Sequence, residues 1–311
     1  MDKRKYNGKV ILFGEYSMIY GASALLIPYY NATAEWNTIM HRPSEKAIDS
    51  NNNLYQFLNY LNENDKFRIL DLKRFEMELN AGLFFDSNIP LGYGVGSSGA
   101  LVAAIYDRYK LTEIEDAMKL KSFLAAMESY FHGSSSGVDP LQCFLGKPFV
   151  LSQQPTANSQ HPSFTILDSD FISENIHIFL IDTKIKSPTG PLVERFKELR
   201  NDDDYRERFD NEYVPLVNEC IDSLIEKQDD NFFEKLSKLS MMQTELLTHT
   251  IPNEVREFFY KSLKEDYFQV KQCGAGGGGF LLGFTNDVEN TNNYWKKSNY
   301  NIIWIKQLYY F

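Results

Sequence analysis

The spacing of apolar residues changes period several times along the chain, and the changes mark out a mixed α/β protein. Lys9-Val10-Ile11-Leu12-Phe13 is a short apolar run closed by Gly14, the pattern of a buried strand that ends in a turn. Ala24 to Pro28 and Asn31 to Trp36 read as two further strands. Between Asn51 and Asn62 the apolar positions Leu54, Phe57, Leu58 and Leu61 recur at helical spacing, whereas Phe75-Glu76-Met77-Glu78-Leu79 alternates as a strand does. Leu101 to Tyr106 lacks breakers and is too apolar for a surface helix, so a buried helix is predicted to run to about Tyr109, followed by a second from Ile114 to Phe131. Strands are predicted at Pro148–Leu151 and Ile176–Ile181, on either side of the polar stretch Ser152 to Gln160, a candidate linker or hairpin. Pro191 to His249 is charged and helical in period, with Asp202-Asp203-Asp204 placed to start a new helix. Phe268–Lys271, Phe280–Phe284 and Asn301–Ile305 read as closing strands.

A chain of 311 residues is longer than a single core usually serves, which favours two packed lobes or one large α/β domain. Hydrophobic residues at 43% and charged residues at 24% exclude wholesale disorder. A net charge of −10 opposes general nucleic-acid binding, because neutralising phosphates takes a basic surface. Cys143, Cys220 and Cys273 are far apart and lack metal-ligand spacing, as expected of reduced thiols in a cytoplasm. The basic N-terminus leads into an apolar stretch broken by Gly14 and Glu15, and no run approaches the roughly 18 apolar residues of a membrane helix. A cytoplasmic location without membrane contact is expected. Aromatics at 14% are compatible with a homodimer surface and equally with scattered exposure.

Three loops carry candidate chemistry. Pro90 to Ala100 has glycines at 92, 94, 96 and 99 and the hydroxyls Ser97 and Ser98, just ahead of the apolar helix. Glycines let successive N–H groups turn toward one point, and a helix N-terminus adds partial positive charge, so the run suits a phosphate. A tight strand-to-helix connection accounts for the glycines equally well. The loop lacks the lysine of a Walker motif and the context of a dinucleotide fold. In the second feature, Glu128 to Asp139, two carboxylates approach from different elements, one suited to Mg²⁺ and the other to a hydroxyl proton; a helix-surface charge and a turn cap are the plainer alternative. The third, Gly274 to Gly279, has five glycines in six positions. Ligand contact and tight packing would each explain that entropic cost.

Taken together, in this order and spacing, the three loops resemble those of the GHMP kinase superfamily. The phosphate-loop pattern Pro-x-Gly-x-Gly-x-Gly-Ser-Ser is matched from Pro90 to Ser98, and the C-terminal glycine motif by Gly274 to Gly279. The likeness spans nearly the whole chain and is nearest to mevalonate kinases, through Gly8 to Glu15, through Glu128 to Asp139, and through Asp182 to Thr189.

The resemblance implies a two-lobed α/β (α+β) fold of mixed sheets with helices packed on them, lobes at residues 1–165 and 166–311, and the active site between the lobes. It implies ATP and Mg²⁺ as cofactors and the primary hydroxyl of mevalonate, or a related small-molecule alcohol, as acceptor. Asp139 is then the general base and Lys9 the cation beside it, while Glu128 with Ser97 or Ser98 holds Mg²⁺. Pro90, Gly92, Gly94, Gly96, Ser97, Ser98, Gly99, Gly274, Gly276 and Gly277 contact the nucleotide. Glu15, Tyr16, His132, Ser136, Gly137 and Thr189 face the acceptor, with a packing or hydrogen-bonding role weighed for His132. Several positions depart from the family pattern. Asn7 precedes Gly8 in place of a proline, Tyr93, Val95 and Gly99 alter the phosphate loop, and Ser135 replaces a proline. Tyr16 replaces a common histidine and is nearer the phosphomevalonate kinase pattern. Phosphomevalonate, or a sugar, is therefore the alternative acceptor, and a non-catalytic sensor of the same fold is the rival from another class.

Overall fold

The computed structural model describes residues 4–40, 42–152, 163–187 and 189–305. Strand β1 (Tyr6–Phe13) carries the first apolar run, and after a 3₁₀ turn at Ser17–Tyr20 the long strand β2 spans Ala24–Thr38. The two strands expected on either side of Pro28 are therefore one. Pro28 falls between Ala24–Leu26, which pairs with β4 (Phe149–Ser152), and Ala34–Thr38, which pairs with β3 (Leu83–Ser87), so its missing N–H removes no ladder bond to β3 or β4.

Helix α1 (Glu45–Asn62) starts on the Ser44 side chain and buries Leu54, Phe57, Leu58 and Leu61, the predicted stripe. The expected strand Phe75–Leu79 is instead part of helix α2 (Leu72–Asn80). Five alternating residues fit both periods. Here Phe75 and Leu79 are buried as an i,i+4 pair, Met77 between them is 71% exposed, and Asp71 caps the Arg74 N–H. Helix α3 (Ser97–Tyr109) follows the glycine loop as predicted, and α4 (Ala117–His132) starts at an Asp116 cap, a little later than expected. The short helix α5 (Val138–Leu145) lies between Gly137 and Gly146, both left-handed.

Strand β5 (Ser163–Ile166) pairs with β4, and β6 (His177–Asp182) follows. Apart from Ser152, the polar stretch read as a linker or hairpin lies outside the described residues. The charged region is helical, with α6 (Thr189–Leu199), then α7 (Asp203–Arg208) capped by Asp202 as expected, then a π turn at Phe209–Tyr213 running into α8 (Val214–Ile225). Pro215, which cannot donate to the helical ladder, accounts for the widened turn. Helix α9 (Asp229–Leu246), α10 (Asn253–Ser262), β7 (Phe268–Gln272), β8 (Phe280–Thr285), α11 (Val288–Trp295) and β9 (Asn301–Trp304) complete the order. This is the mixed α/β class expected from the sequence. No helix among the described residues is long and apolar enough to cross a membrane.

The chain forms two compact units that interleave in sequence. The first comprises the chain up to Lys9, Pro28–Pro90 and Gly96–Gly146, and the second Val10–Ile27, Leu91–Val95 and the chain from Lys147 onward. Where the sequence suggested lobes meeting at residues 165 and 166, the last changeover falls between Gly146 and Lys147. In the first unit α1 to α5 accompany the β2–β3 pair, and Trp36, Phe75, Phe85 and Tyr109 pack together within the core. In the second, an antiparallel sheet of order β7-β8-β6-β9 buries Phe179, Phe268, Val270 and Trp295. Glycine is required at position 283, because a Cβ there would lie 2.2 Å from the Phe179 ring.

Candidate active site

The first unit resumes at Gly96, the start of α3, whose φ of +83° is left-handed. A Cβ on Gly96 would sit 2.7 Å from Cγ of Lys9 and 3.3 Å from Sγ of Cys143, so the glycine lets the lysine stem pass directly beside the helix start. No side chain among the described residues caps α3, which leaves its first N–H groups and the positive end of its dipole available to an anion. Gly99, read as part of the phosphate cradle, is also buried against α5, where a Cβ would meet the Asp139–Pro140 backbone at 3.0 Å.

That close approach of α3 and α5 assembles a charged centre. Lys9, only 4% exposed, places Nζ 2.8 Å from Oδ2 of Asp139, which is 36% exposed in the first turn of α5. Glu128, near the end of α4 and 4% exposed, accepts hydrogen bonds from the Ser98 hydroxyl at 2.9 Å and the Ser135 hydroxyl at 2.5 Å. Burial, and then the neighbouring Asp139 charge, push the Glu128 carboxyl up to about 7, against the pull of the two hydroxyls and Lys9. Ser98 Oγ also lies 3.1 Å from Nε2 of His132. The structure thus brings together Lys9, Ser98, Glu128, His132 and Asp139. Of the two loop serines, it is Ser98 that reaches Glu128.

Gly137 serves the backbone here. At φ +74° it starts α5, and a Cβ would fall 2.1 Å from the Lys121 carbonyl oxygen. Ser136 is exposed, its hydroxyl accepting from the Val138 N–H at 3.4 Å. Two neighbours escaped the sequence reading. Ser135, noted only as a departure from the family, is a direct partner of Glu128. Cys143, four residues past Asp139 and so on the same face of α5, donates to the Gly96 carbonyl at 3.7 Å. Burial pushes its thiol well up, which suits a small packed residue and not a nucleophile.

The donor set can be tested against Mg²⁺. This ion takes one or two carboxylates and completes its octahedron with phosphate and water oxygens. Glu128 and Ser98 offer adjacent oxygens of that type, and a buried carboxyl pushed upward is one whose ionised form gains most from a nearby dication. Among the described residues no group of three His, Cys, Asp or Glu forms a metal cage.

In the second unit the remaining candidates are engaged with protein. Glu15 forms a buried ion pair with Lys271, the two side chains 3% and 0% exposed. Tyr16, at a φ of +38°, packs in a tilted contact against Phe196 at 4.7 Å between ring centroids and donates its hydroxyl to the Ala275 carbonyl at 2.8 Å. Burial raises its phenol. In the glycine cluster, Gly277 N–H donates to the Thr250 carbonyl and Gly279 N–H to the Ile185 carbonyl, both at 2.6 Å. A Cβ at Gly276 would lie 2.7 Å from the Thr250 oxygen, at Gly278 2.5 Å from the Ile185 oxygen, and at Gly279 2.9 Å from the Tyr93 backbone. The Gly274 Cβ position faces Gly94 at 3.8 Å. Close backbone packing therefore accounts for most of this cluster. Pro90 is half-buried ahead of the loop, and Thr189 is the first residue of α6.

The family described as "GHMP kinases N terminal domain" matches residues 52–147, the stretch holding the phosphate loop, Glu128 and Asp139. A mevalonate kinase of Archaeoglobus fulgidus is 26% identical over 283 residues, 89% of each chain. Among solved structures, L. major mevalonate kinase in complex with R-mevalonate matches with a TM-score of 0.66 at 16% identity, covering 95% of this chain and 90% of that one. The Streptococcus pneumoniae phosphomevalonate kinase in complex with phosphomevalonate and AMPPNP matches with a TM-score of 0.68 at 18% identity, covering 98% of this chain and 100% of that one. Residues 52–147 are thus a GHMP kinase N-terminal domain, set in a chain that carries the fold of GHMP kinases over nearly its whole length.

Proposed function

We propose that this protein is an ATP-dependent mevalonate kinase, transferring the γ-phosphate of ATP to the primary hydroxyl of mevalonate to give 5-phosphomevalonate. The observation that carries the reading is the pair of Lys9 and Asp139 at 2.8 Å, held beside the N-terminus of α3 by the contact of Gly99 with α5. The relative from Archaeoglobus fulgidus, alike over nearly the whole chain, supports mevalonate as acceptor.

A primary alcohol is a poor nucleophile at neutral pH. Asp139 is the group to take its proton as the oxygen attacks phosphorus, and Lys9 fixes that carboxylate and favours negative charge on the oxygen. The first N–H groups of α3 and the glycine loop cradle the phosphates, which carries more of the acceleration than proton transfer does. Glu128 and Ser98 would hold Mg²⁺, which when bound neutralises charge on the phosphates. A cytoplasmic role in the supply of isoprenoid precursors goes with this assignment.

Phosphomevalonate is the second reading, supported by Tyr16 and by the likeness to the Streptococcus pneumoniae enzyme, which is as close in fold as the mevalonate kinase. A coupled assay offering mevalonate, phosphomevalonate, galactose and homoserine with Mg-ATP decides between them. Turnover of mevalonate ahead of the others is expected, and its absence would refute the assignment. Asp139→Asn should lower kcat by about 10²–10⁴-fold with the circular dichroism spectrum intact. A sensor of this fold would show no turnover to lose.

A further inference from the structure

The phosphate loop contains no lysine, yet the second unit places one against it. The segment between β6 and α6 is fastened at successive residues. The Thr183 N–H and hydroxyl both donate to the Gly279 carbonyl, at 3.1 and 2.7 Å, and Ile185 accepts from the Gly279 N–H. The Ser187 hydroxyl donates to the Gly276 carbonyl, and the Ser187 N–H donates to the Gly92 carbonyl at 3.1 Å. Lys184, at φ +60°, donates its backbone N–H to Asp182 and its ammonium to the Asn299 carbonyl at 3.3 Å, which turns that lysine away. Lys186 is left beside the loop, its Cβ 4.0 Å from where a Cβ of Gly92 would stand. Its side chain is exposed, and it forms no ion pair among the described residues.

We infer that Lys186 is the cation that draws the phosphate groups of the nucleotide to the glycine loop. The inference rests on reading that loop as the nucleotide site. A lysine stem reaches about 5 Å beyond its Cβ, enough to bring the ammonium over the Gly92–Gly94 turn. The backbone at its base is pinned on both sides, so the side chain is ordered onto the ligand from a fixed origin. This also gives the glycine cluster a purpose in the site. Gly278 is bare because the Ile185 backbone, one residue before Lys186, occupies the space of its side chain, while Gly276 and Gly279 hold the same segment through their hydrogen bonds to Ser187 and Ile185. Of the cations that a phosphorylated acceptor would call for, Lys184 is committed to Asn299 and Arg195 to Glu198. Lys186 instead stands at the nucleotide loop.

The test is calorimetric titration of the full chain with ADP, AMP-PNP and adenosine, without acceptor. Lys186→Gln should bind ADP and AMP-PNP about five- to tenfold more weakly, and more weakly still relative to wild type at low salt, with adenosine unchanged. Lys186→Arg should restore the affinity, and Lys197→Gln, a charge loss on the exposed face of α6, should leave it intact. Unchanged ADP affinity in Lys186→Gln would overturn the inference, as would an equal loss for adenosine, which marks a packing role. A rise confined to the KM of a phosphorylated acceptor would move Lys186 to the acceptor and overturn it too. Nucleotide binding is read without turnover, so failure of mevalonate as substrate leaves this result standing or falling separately.

Discussion

Glu128→Gln isolates the electrostatic tension of the site. The Glu128 carboxyl is pushed from its ordinary 4.5 to about 7 in the folded protein, by burial first and Asp139 second. Between those two values the folded chain holds a proton that the unfolded chain has released. Stability therefore falls as pH rises from about 4.5 toward 7, and above 7 the full cost of a buried anion is present. A difference of about 2.5 between the two values corresponds to roughly 3 kcal/mol, carried by a side chain only 4% exposed. Glutamine keeps the shape and removes the titration. Its oxygen accepts from one of the two serine hydroxyls, and the other must rotate to accept from the amide, which returns about 1 kcal/mol of the gain. At pH 8 the variant should exceed wild type by about 2 kcal/mol, and at pH 5 the difference should vanish or reverse. Thermal unfolding followed by circular dichroism from pH 5 to 8 reads this as a Tm difference on the order of 4 °C that appears only on the alkaline side. Kinase turnover should be lost at every pH. A Tm difference with no dependence on pH across that range would refute the electrostatic account of Glu128.

Other substitutions test the supports of the site. Gly137→Ala places a Cβ 2.1 Å from the Lys121 carbonyl at a left-handed residue, so α5 must shift and Asp139 with it; a loss of about 3 kcal/mol or more in urea unfolding is expected, and full stability would contradict the close contact. Lys271→Met leaves Glu15 charged and buried and should cost about 3–5 kcal/mol, whereas the double variant Glu15→Gln/Lys271→Met should recover much of it. If the double variant is no more stable than the single one, the pair is not the partner that matters. Tyr16→Phe removes the hydroxyl donated to Ala275 and should cost about 1 kcal/mol with little change in turnover; a collapse of turnover at unchanged stability would make Tyr16 an acceptor contact.

The elements that the sequence made legible are those whose signal is local. The glycine spacing ahead of an unbroken apolar run placed the loop and α3, and Asp202 to Asp204 placed the start of α7, because caps and left-handed turns depend on a few neighbouring residues. Pro28 divided β2 on paper since a proline reads as a break, and only the pairing on either side shows that it costs no bond to β3 or β4. For Phe75–Leu79 the deciding signal was present, in the Asp71 cap, but lay outside the alternating window. The site was legible as residue types and not as partners. Lys9 and Asp139 come from β1 and α5, and Glu15 meets Lys271 from 256 residues away. Strands β1 and β2 each contribute to both compact units, so no cut of the sequence into two halves reproduces them.

The glycines show what the structure adds to such a reading, because glycine in a sequence has two meanings that only space separates. At Gly94, with φ +70°, a Cβ would meet nothing within 4 Å, and at Gly92, with φ +78°, only the Lys186 stem at that limit. Glycine there is demanded by backbone conformation, and the room beside it is open to a ligand. At Gly276, Gly278 and Gly279 the same left-handed conformations come with carbonyl oxygens or main chain at 2.5–2.9 Å, so the protein itself fills the space. At Gly99 φ is ordinary and α5 alone imposes the requirement. Two runs that looked alike on paper thus divide by function. In the kinase we propose, the Gly92–Gly94 turn is the place for phosphate, and the Gly276–Gly279 run holds, through Ile185 and Ser187, the segment that carries Lys186 to it.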